Sequence, residues 1–257
     1  AVIMMGNPER DGRAWTGDHY CIQWFQLTAA MSLGWAGYLR CQDICNLQLC
    51  DCTWEDECVS LLIRRAKADQ RGVTTVTCVD SLVSGEGVVN DGDICLLSFF
   101  IGYVEAVHGD RHRQRKGCTR DVGGKRAYDC PVCPYLFPAI SIRGVEPRRQ
   151  LGDRMLRLRI KAACVRLETA GILAEGATKN FSVISLRRGG NSVAAARGVR
   201  DRVRTNHGRW GLAGAVKRGQ TSEGEYNSVL SRDDGAVLKA LHADLNEVSR
   251  GKKRATK

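Results

Sequence analysis

The 257-residue sequence contains no apolar run approaching the roughly 18–20 residues that a membrane-spanning helix requires. The nearest stretch, Ile94 to Val107, is too short and carries Glu105, so no membrane partner is expected. No internal repeat is present, which excludes a solenoid built from copies of one unit. The opening residues Ala1-Val-Ile-Met-Met lack the charged and apolar regions of a secretory signal. The sequence does not begin with Met. It reads as a fragment or processed product, with any targeting signal upstream. Basic residues are scarce in residues 1–100, which hold 7 Lys+Arg against 13 Asp+Glu. What is present is globular in kind: 43% hydrophobic and 26% charged residues argue against wholesale disorder.

The charge is strongly polarised. Residues 1–100 carry a net −6, residues 101–257 carry +17, and the chain carries +11. Of the 39 basic residues, 29 are Arg. Arg holds its charge at any accessible pH and binds phosphate oxygens with a two-pronged fork. A basic half on a globular chain points to a polyanionic partner, nucleic acid first. The plainer alternative is a solvated basic surface on a subunit of some larger assembly.

Twelve cysteines are many for this length, but several sit at apolar positions, such as Cys41, Cys45, Cys50, Cys78 and Cys164. Buried thiols of that kind act as small hydrophobes. Free thiols imply an intracellular reducing compartment, nucleus or organelle. One group stands apart: Cys118 and Cys130-Pro-Val-Cys133, with His108 and His112 just upstream. A CxxC with further Cys or His nearby can hold zinc. The spacing matches no common zinc class, and a loop that merely carries thiols is the plainer account. No other cofactor is expected.

The apolar stretch at 20–39 predicts a buried helix, with Gly34 and Gly37 marking its end or a close approach. Asp43 to Leu49 reads as a short helix. Val59 to Arg64 and Val73 to Val79 read as strands of a hairpin, from their β-branched content and the polar turn between them. Further helices are predicted over Asp93–Val107, Gly152–Glu168, Ser185–Ala196, Val199–His207 and Gly235–Val248. Gly198 and Gly208 stand at the ends of two of them. Residues 108–130 are basic, glycine-rich and irregular, an exposed insertion. Residues 251–257 form a basic tail. The expected fold class is mainly α with a small antiparallel β-sheet (α+β), in a single domain over residues 1–250.

Several blocks then fall in a telling order. Gly37-Tyr-Leu-Arg40 is followed by Asp43 and by Leu47-Gln-Leu-Cys-Asp51. Ala66-Lys67-Ala-Asp69-Gln70 lies on the predicted hairpin. Tyr135-Leu-Phe-Pro138 comes next, then Phe181-Ser-Val-Ile-Ser-Leu-Arg187-Arg188-Gly-Gly with its small-residue helix, and finally Asn206-His207-Gly208-Arg209-Trp210. Together they resemble the catalytic domain of the tyrosine recombinases (the phage-integrase superfamily). The resemblance covers most of the chain and implies DNA recombination or integration. It also implies roles for the matching residues. Arg40 and Arg187 would clamp the nonbridging oxygens of a phosphodiester, with Arg188 and Arg209 adding nucleic-acid contacts. Lys67 would protonate the leaving 5′ oxygen as general acid. Trp210 would donate a further hydrogen bond to the phosphate, with His207 close by.

Two positions depart from the family pattern. Its usual His before the second Arg is Ile184, which can neither donate to phosphate nor exchange a proton. Its nucleophilic Tyr, ten residues past Trp210, is Gln220, which cannot form a phosphotyrosyl bond. Tyr226 is the one later tyrosine and would have to serve instead, in cis or on a neighbouring subunit. Arg40, Lys67 and Arg187 remain as a phosphate clamp from which catalysis has been lost. Such a domain would act as a homo-oligomer on DNA. It would otherwise be a domesticated, non-catalytic subunit of a nucleoprotein particle, such as a ribosome-type particle binding RNA. The plain alternatives are an Arg40–Asp43 ion pair, a solvated turn at Lys67, surface charge at Arg187 and Arg188, and a zinc-stabilised interaction module at the cysteines.

Overall fold

The structure is a computed structural model and describes residues 19–54, 58–63, 75–80, 96–109, 130, 132–141, 144–208, 237 and 241. Among them the fold is mainly helical with two small antiparallel sheets. The chain begins with α1 (His19–Ala36), α2 (Cys41–Cys45) and a 3₁₀ turn at Leu49–Asp51. β1 (Cys52–Trp54), β2 (Cys58–Leu62) and β3 (Thr75–Asp80) follow, then α3 (Leu96–His108). β4 (Pro138–Ser141) and β5 (Gly144–Gln150) lead to α4 (Asp153–Thr169), α5 (Ala177–Asn180), α6 (Val183–Ala196) and α7 (Asp201–His207). No helix among the described residues is long and apolar enough to cross a membrane.

α1 is apolar nearly all round and is buried on most sides, as a helix of that pattern must be. Its few polar residues are satisfied internally. The Thr28 hydroxyl donates to the Trp24 carbonyl at 2.9 Å and the Ser32 hydroxyl to the Thr28 carbonyl at 2.9 Å. Gln26 is fully buried; its amide nitrogen donates to the Pro138 carbonyl at 2.7 Å, and its amide oxygen accepts from Arg159 at 2.7 Å. A buried amide without those partners would cost about 1–3 kcal/mol. α4 is amphipathic instead. Leu156, Ile160, Ala163, Cys164 and Leu167 form its inner stripe, at the spacing of one helix face. One buried cluster contains residues of α1, α2, the first sheet, α3, α4 and α6, together with Val237 and Leu241.

In the first sheet β2 pairs with both β1 and β3, all antiparallel. Val59, Leu61 and Ile63 are buried and alternate with half-buried Ser60 and Leu62, the two-residue period of a half-covered strand. The expected hairpin is therefore present, with β1 added on its other side. The expected helix over Asp43–Leu49 stops at Cys45. Beyond it Gln48 forms an isolated antiparallel bridge with Tyr135. The Asp51 carboxylate accepts from the Gln48 backbone N–H at 2.8 Å, closing the 3₁₀ turn. The bridge to Tyr135 draws the segment out of a helix. The second sheet, β4–β5, was not apparent from the sequence, because Pro138 and Pro147 break up its apolar pattern. Of the basic segment 108–130, His108 ends α3 and is buried beside the Leu136 carbonyl, and Cys130 is buried. Residues 110–129, most of the expected last helix and the tail 251–257 lie outside the described residues.

The turn from α4 to α5 is tied by Glu168. Its carboxylate accepts from the Thr178 hydroxyl, from the Gly176 N–H at 2.6 Å and from the Thr178 N–H at 3.0 Å. These donors hold its pKa below the ordinary Glu value of 4.5. A depressed carboxylate adds stability that is full above its unfolded-state pKa and fades as pH falls through the folded one. Glu168→Gln should therefore flatten the loss of stability on acidification from pH 7 toward pH 3, read from urea midpoints. An unchanged acid limb would remove that role.

Candidate functional site

The end of α1 and the start of α6 bring the main candidate residues together. α1 ends at Ala36, and Tyr38 then adopts a left-handed backbone with φ 50°. A non-glycine residue holds that conformation at a cost of about 1–2 kcal/mol. Tyr38 is fully buried, with its ring edge-on to His207 at 4.6 Å between centroids, and burial pushes its phenol pKa up. The reversal leads directly to Arg40, the residue preceding the first turn of α2. The Arg40 backbone N–H donates to the Asp43 carboxylate at 3.0 Å. Asp43 thus caps the helix through Arg40's main chain, and the Arg40 guanidinium makes no hydrogen bond or ion pair to any described residue.

α6 begins after Ser182, whose N–H donates to the Ser185 hydroxyl at 3.0 Å. Its buried face carries Val183, Leu186, Gly190 and Ala194. A Cβ on Gly190 would fall on the Trp35 carbonyl oxygen and within 2.8 Å of the Tyr38 ring. The absence of a side chain there lets α6 rest on the end of α1. Arg187 lies one turn earlier on α6, and its guanidinium donates to the Gly208 carbonyl at 3.0 Å. Arg204 of α7 donates to the Asn191 side-chain oxygen at 2.9 Å and to the Val199 carbonyl at 3.0 Å, fastening α7 to α6.

Arg40, Arg187 and Arg188 line one cavity of about 570 Å³, together with Arg157 from α4, Ser182 and Ile184. Among the described residues no carboxylate lines it. Arg157 is paired at 2.7 Å with Asp153 on its own helix; Arg188 makes no hydrogen bond or ion pair to any described residue. The cavity is therefore a concentration of guanidinium groups, of which those of Arg40 and Arg188 have donor capacity to spare, a setting for an oxyanion such as phosphate. Ile184 is 61% exposed at this cavity, so an apolar side chain faces solvent among the arginines.

His207 is placed otherwise. It is buried, its Nε2 lies 2.6 Å from the Ala36 carbonyl oxygen, and it does not line the cavity. Its visible role is to join α7 to the end of α1. Arg157 was not among the expected site residues; its only sequence signal was the run of arginines along α4. Lys67, Arg209, Trp210, Gln220 and Tyr226 lie outside the described residues, as does Cys118. Cys130 and Cys133 lie beside Cys50. His108 instead sets its Nε2 3.0 Å from the Leu136 carbonyl oxygen.

The Gly190 contact yields a direct check. Gly190→Ala should destabilise the protein by about 1–3 kcal/mol through overpacking. Gly189→Ala, whose new methyl would meet nothing closer than Trp35 at 3.9 Å, should be neutral or gain up to about 1 kcal/mol from helix propensity. Urea unfolding of the two variants measures the difference, and equal midpoints would refute the close contact. No protein-family model, curated protein or solved structure matches the chain.

Proposed function

We propose that the chain is a tyrosine-recombinase-like, nucleic-acid-binding domain that grips a phosphodiester in the arginine cavity and has lost most of its strand-cleaving capacity. The observation that carries this reading is the meeting of Arg40 and Arg187, from distant parts of the sequence, in one cavity with Arg157 and Arg188 and with no acid among its described lining residues. Two guanidinium forks on the nonbridging oxygens would both hold a phosphodiester and stabilise the charge that develops when it is attacked. Lys67 would be the general acid and Trp210 a further donor. Ile184 supports the loss of chemistry: it stands exposed at the cavity, where the family places a proton-carrying His. Gln220 cannot supply the covalent step. Holding without cutting is what remains.

Binding to duplex DNA should weaken steeply with salt, the slope of log affinity on log salt being about −0.9 per phosphate neutralised. Arg40→Ala and Arg188→Ala should each lower affinity uniformly across sequences and reduce that slope by about 1. Fluorescence anisotropy across a salt series reads both quantities, and slopes that stay at the parent value would sink the assignment. The same titration with duplex RNA separates the DNA-binding reading from that of a structural subunit in an RNA particle. Tighter binding to RNA, lost in the same variants, would favour the latter.

The chemical half of the proposal has its own test, capture of a nicked DNA duplex as a covalent adduct. The parent should form none, and Ile184→His combined with Gln220→Tyr should restore some. An adduct in the parent that disappears in Tyr226→Phe would instead make Tyr226 the nucleophile and overturn the loss of catalysis.

A further inference from the structure

We propose that Cys50, Cys130 and Cys133 bind a zinc ion as thiolates, fastening the segment after α2 to the loop that enters β4. The sulfurs of these three residues all lie within 4.8 Å of one another. Around a tetrahedral zinc with Zn–S distances of about 2.3 Å, sulfurs stand roughly 3.8 Å apart. Closing the trio onto an ion therefore requires shifts of only about 1 Å.

The backbone around them is already set for this. Gln48 is buried, and its whole side-chain amide is committed to the CxxC loop. Its oxygen accepts from the Cys130 N–H at 2.7 Å, and its nitrogen donates to the Cys130 and Cys133 carbonyls at 3.0 and 3.1 Å. The Leu49 N–H donates to the Pro134 carbonyl at 3.0 Å, closing the other side. Within the loop the Cys133 N–H points at the Cys130 sulfur at 3.4 Å. An amide directed at sulfur favours its charged form. Three thiols serving only as small hydrophobes would need none of this polar scaffolding, and a disulfide between any two would leave the third thiol behind.

Binding is balanced by protons. Each thiol releases one to solvent, so Zn²⁺ and three thiols give a tris-thiolate of net charge −1 and three H⁺. Affinity accordingly falls as pH falls. The trio fills three positions of the four that zinc prefers. Cys50 and Cys130 are buried and Cys133 is half-buried, so the fourth position is approached from the Cys133 side, by water or by another donor.

The test uses the full chain purified under reducing conditions. Elemental analysis should find about one zinc per chain, and exchange for Co²⁺ should produce thiolate-to-metal charge-transfer absorption with the visible bands of a tetrahedral site. Cys130→Ser should lose the metal. Cys133→Ser, at the half-exposed position, should keep the fold and lose about a third of the charge-transfer intensity, or the metal altogether. Cys164→Ser, on α4 and outside the trio, should change neither reading. Thiol alkylation of the parent, read by mass spectrometry, should find Cys50, Cys130 and Cys133 protected until a chelator is added. That readout needs no variant to fold. A parent without zinc and without a cobalt band, a Cys130–Cys133 disulfide under reducing conditions, or metal retained in Cys130→Ser would each overturn the proposal.

Discussion

Close approach of α1 and α6 is the constraint on which the rest of the site depends. It is permitted by glycine on both sides. A Cβ on Gly34 of α1 would meet the Leu186 and Ile44 side chains at 3.3 Å, and one on Gly190 of α6 would meet the Trp35 carbonyl. With the two helices in contact, Leu186 fills the space beside Gly34 and carries its neighbour Arg187 to the cavity. Ile44 enters the same contact from α2, which Arg40 precedes. His207 then reaches the Ala36 carbonyl. The positioning of charge thus rests on the packing of two residues that carry no side chain.

Charge in this protein is either neutralised locally or left without an acidic partner, and the two cases fall in different places. Arg159 is half-buried and is satisfied by the fully buried Gln26. Its burial lowers the guanidinium pKa from the ordinary value, and the amide it meets carries no charge. Arg204 is absorbed by α6 and by Asp201. The guanidinium groups of Arg40 and Arg188 pair with no described acid, and they stand at a cavity where four arginines gather. Guanidinium groups crowded together repel one another, and a polyanion relieves that repulsion.

Much of the fold was legible in the sequence, for identifiable reasons. α1, α3, α4, α6 and α7 announced themselves through apolar periodicity and through glycines at their ends; Gly198 does adopt the left-handed conformation, at φ 80°. β2 and β3 followed from β-branched content. What could not be read locally was whatever depends on distant partners. Residues 46–51 are drawn out of a helix by Tyr135 and Cys130, β4–β5 contains two prolines, and the left-handed residue after α1 is Tyr38 rather than the adjacent Gly37. Of the site, the order of the arginine motifs anticipated that Arg40, Arg187 and Arg188 share a cavity. It gave no sign of Arg157, nor that His207 faces the interior. Of the cysteines, Cys130 and Cys133 lie together with Cys50, 80 residues earlier in the chain, while Cys118 lies outside the described residues.

The amide of Gln26 carries one further consequence. It sits in the middle of α1, yet its partners are Pro138 and Arg159, 112 and 133 residues later. Its nitrogen also donates to the Tyr103 hydroxyl at 3.4 Å, so its acceptors come from α3 and β4, and only its oxygen depends on a donor from α4. The buried amide of this apolar helix is therefore satisfied only by residues far along the sequence. Contacts of such sequence separation slow folding and lengthen exposure to aggregation.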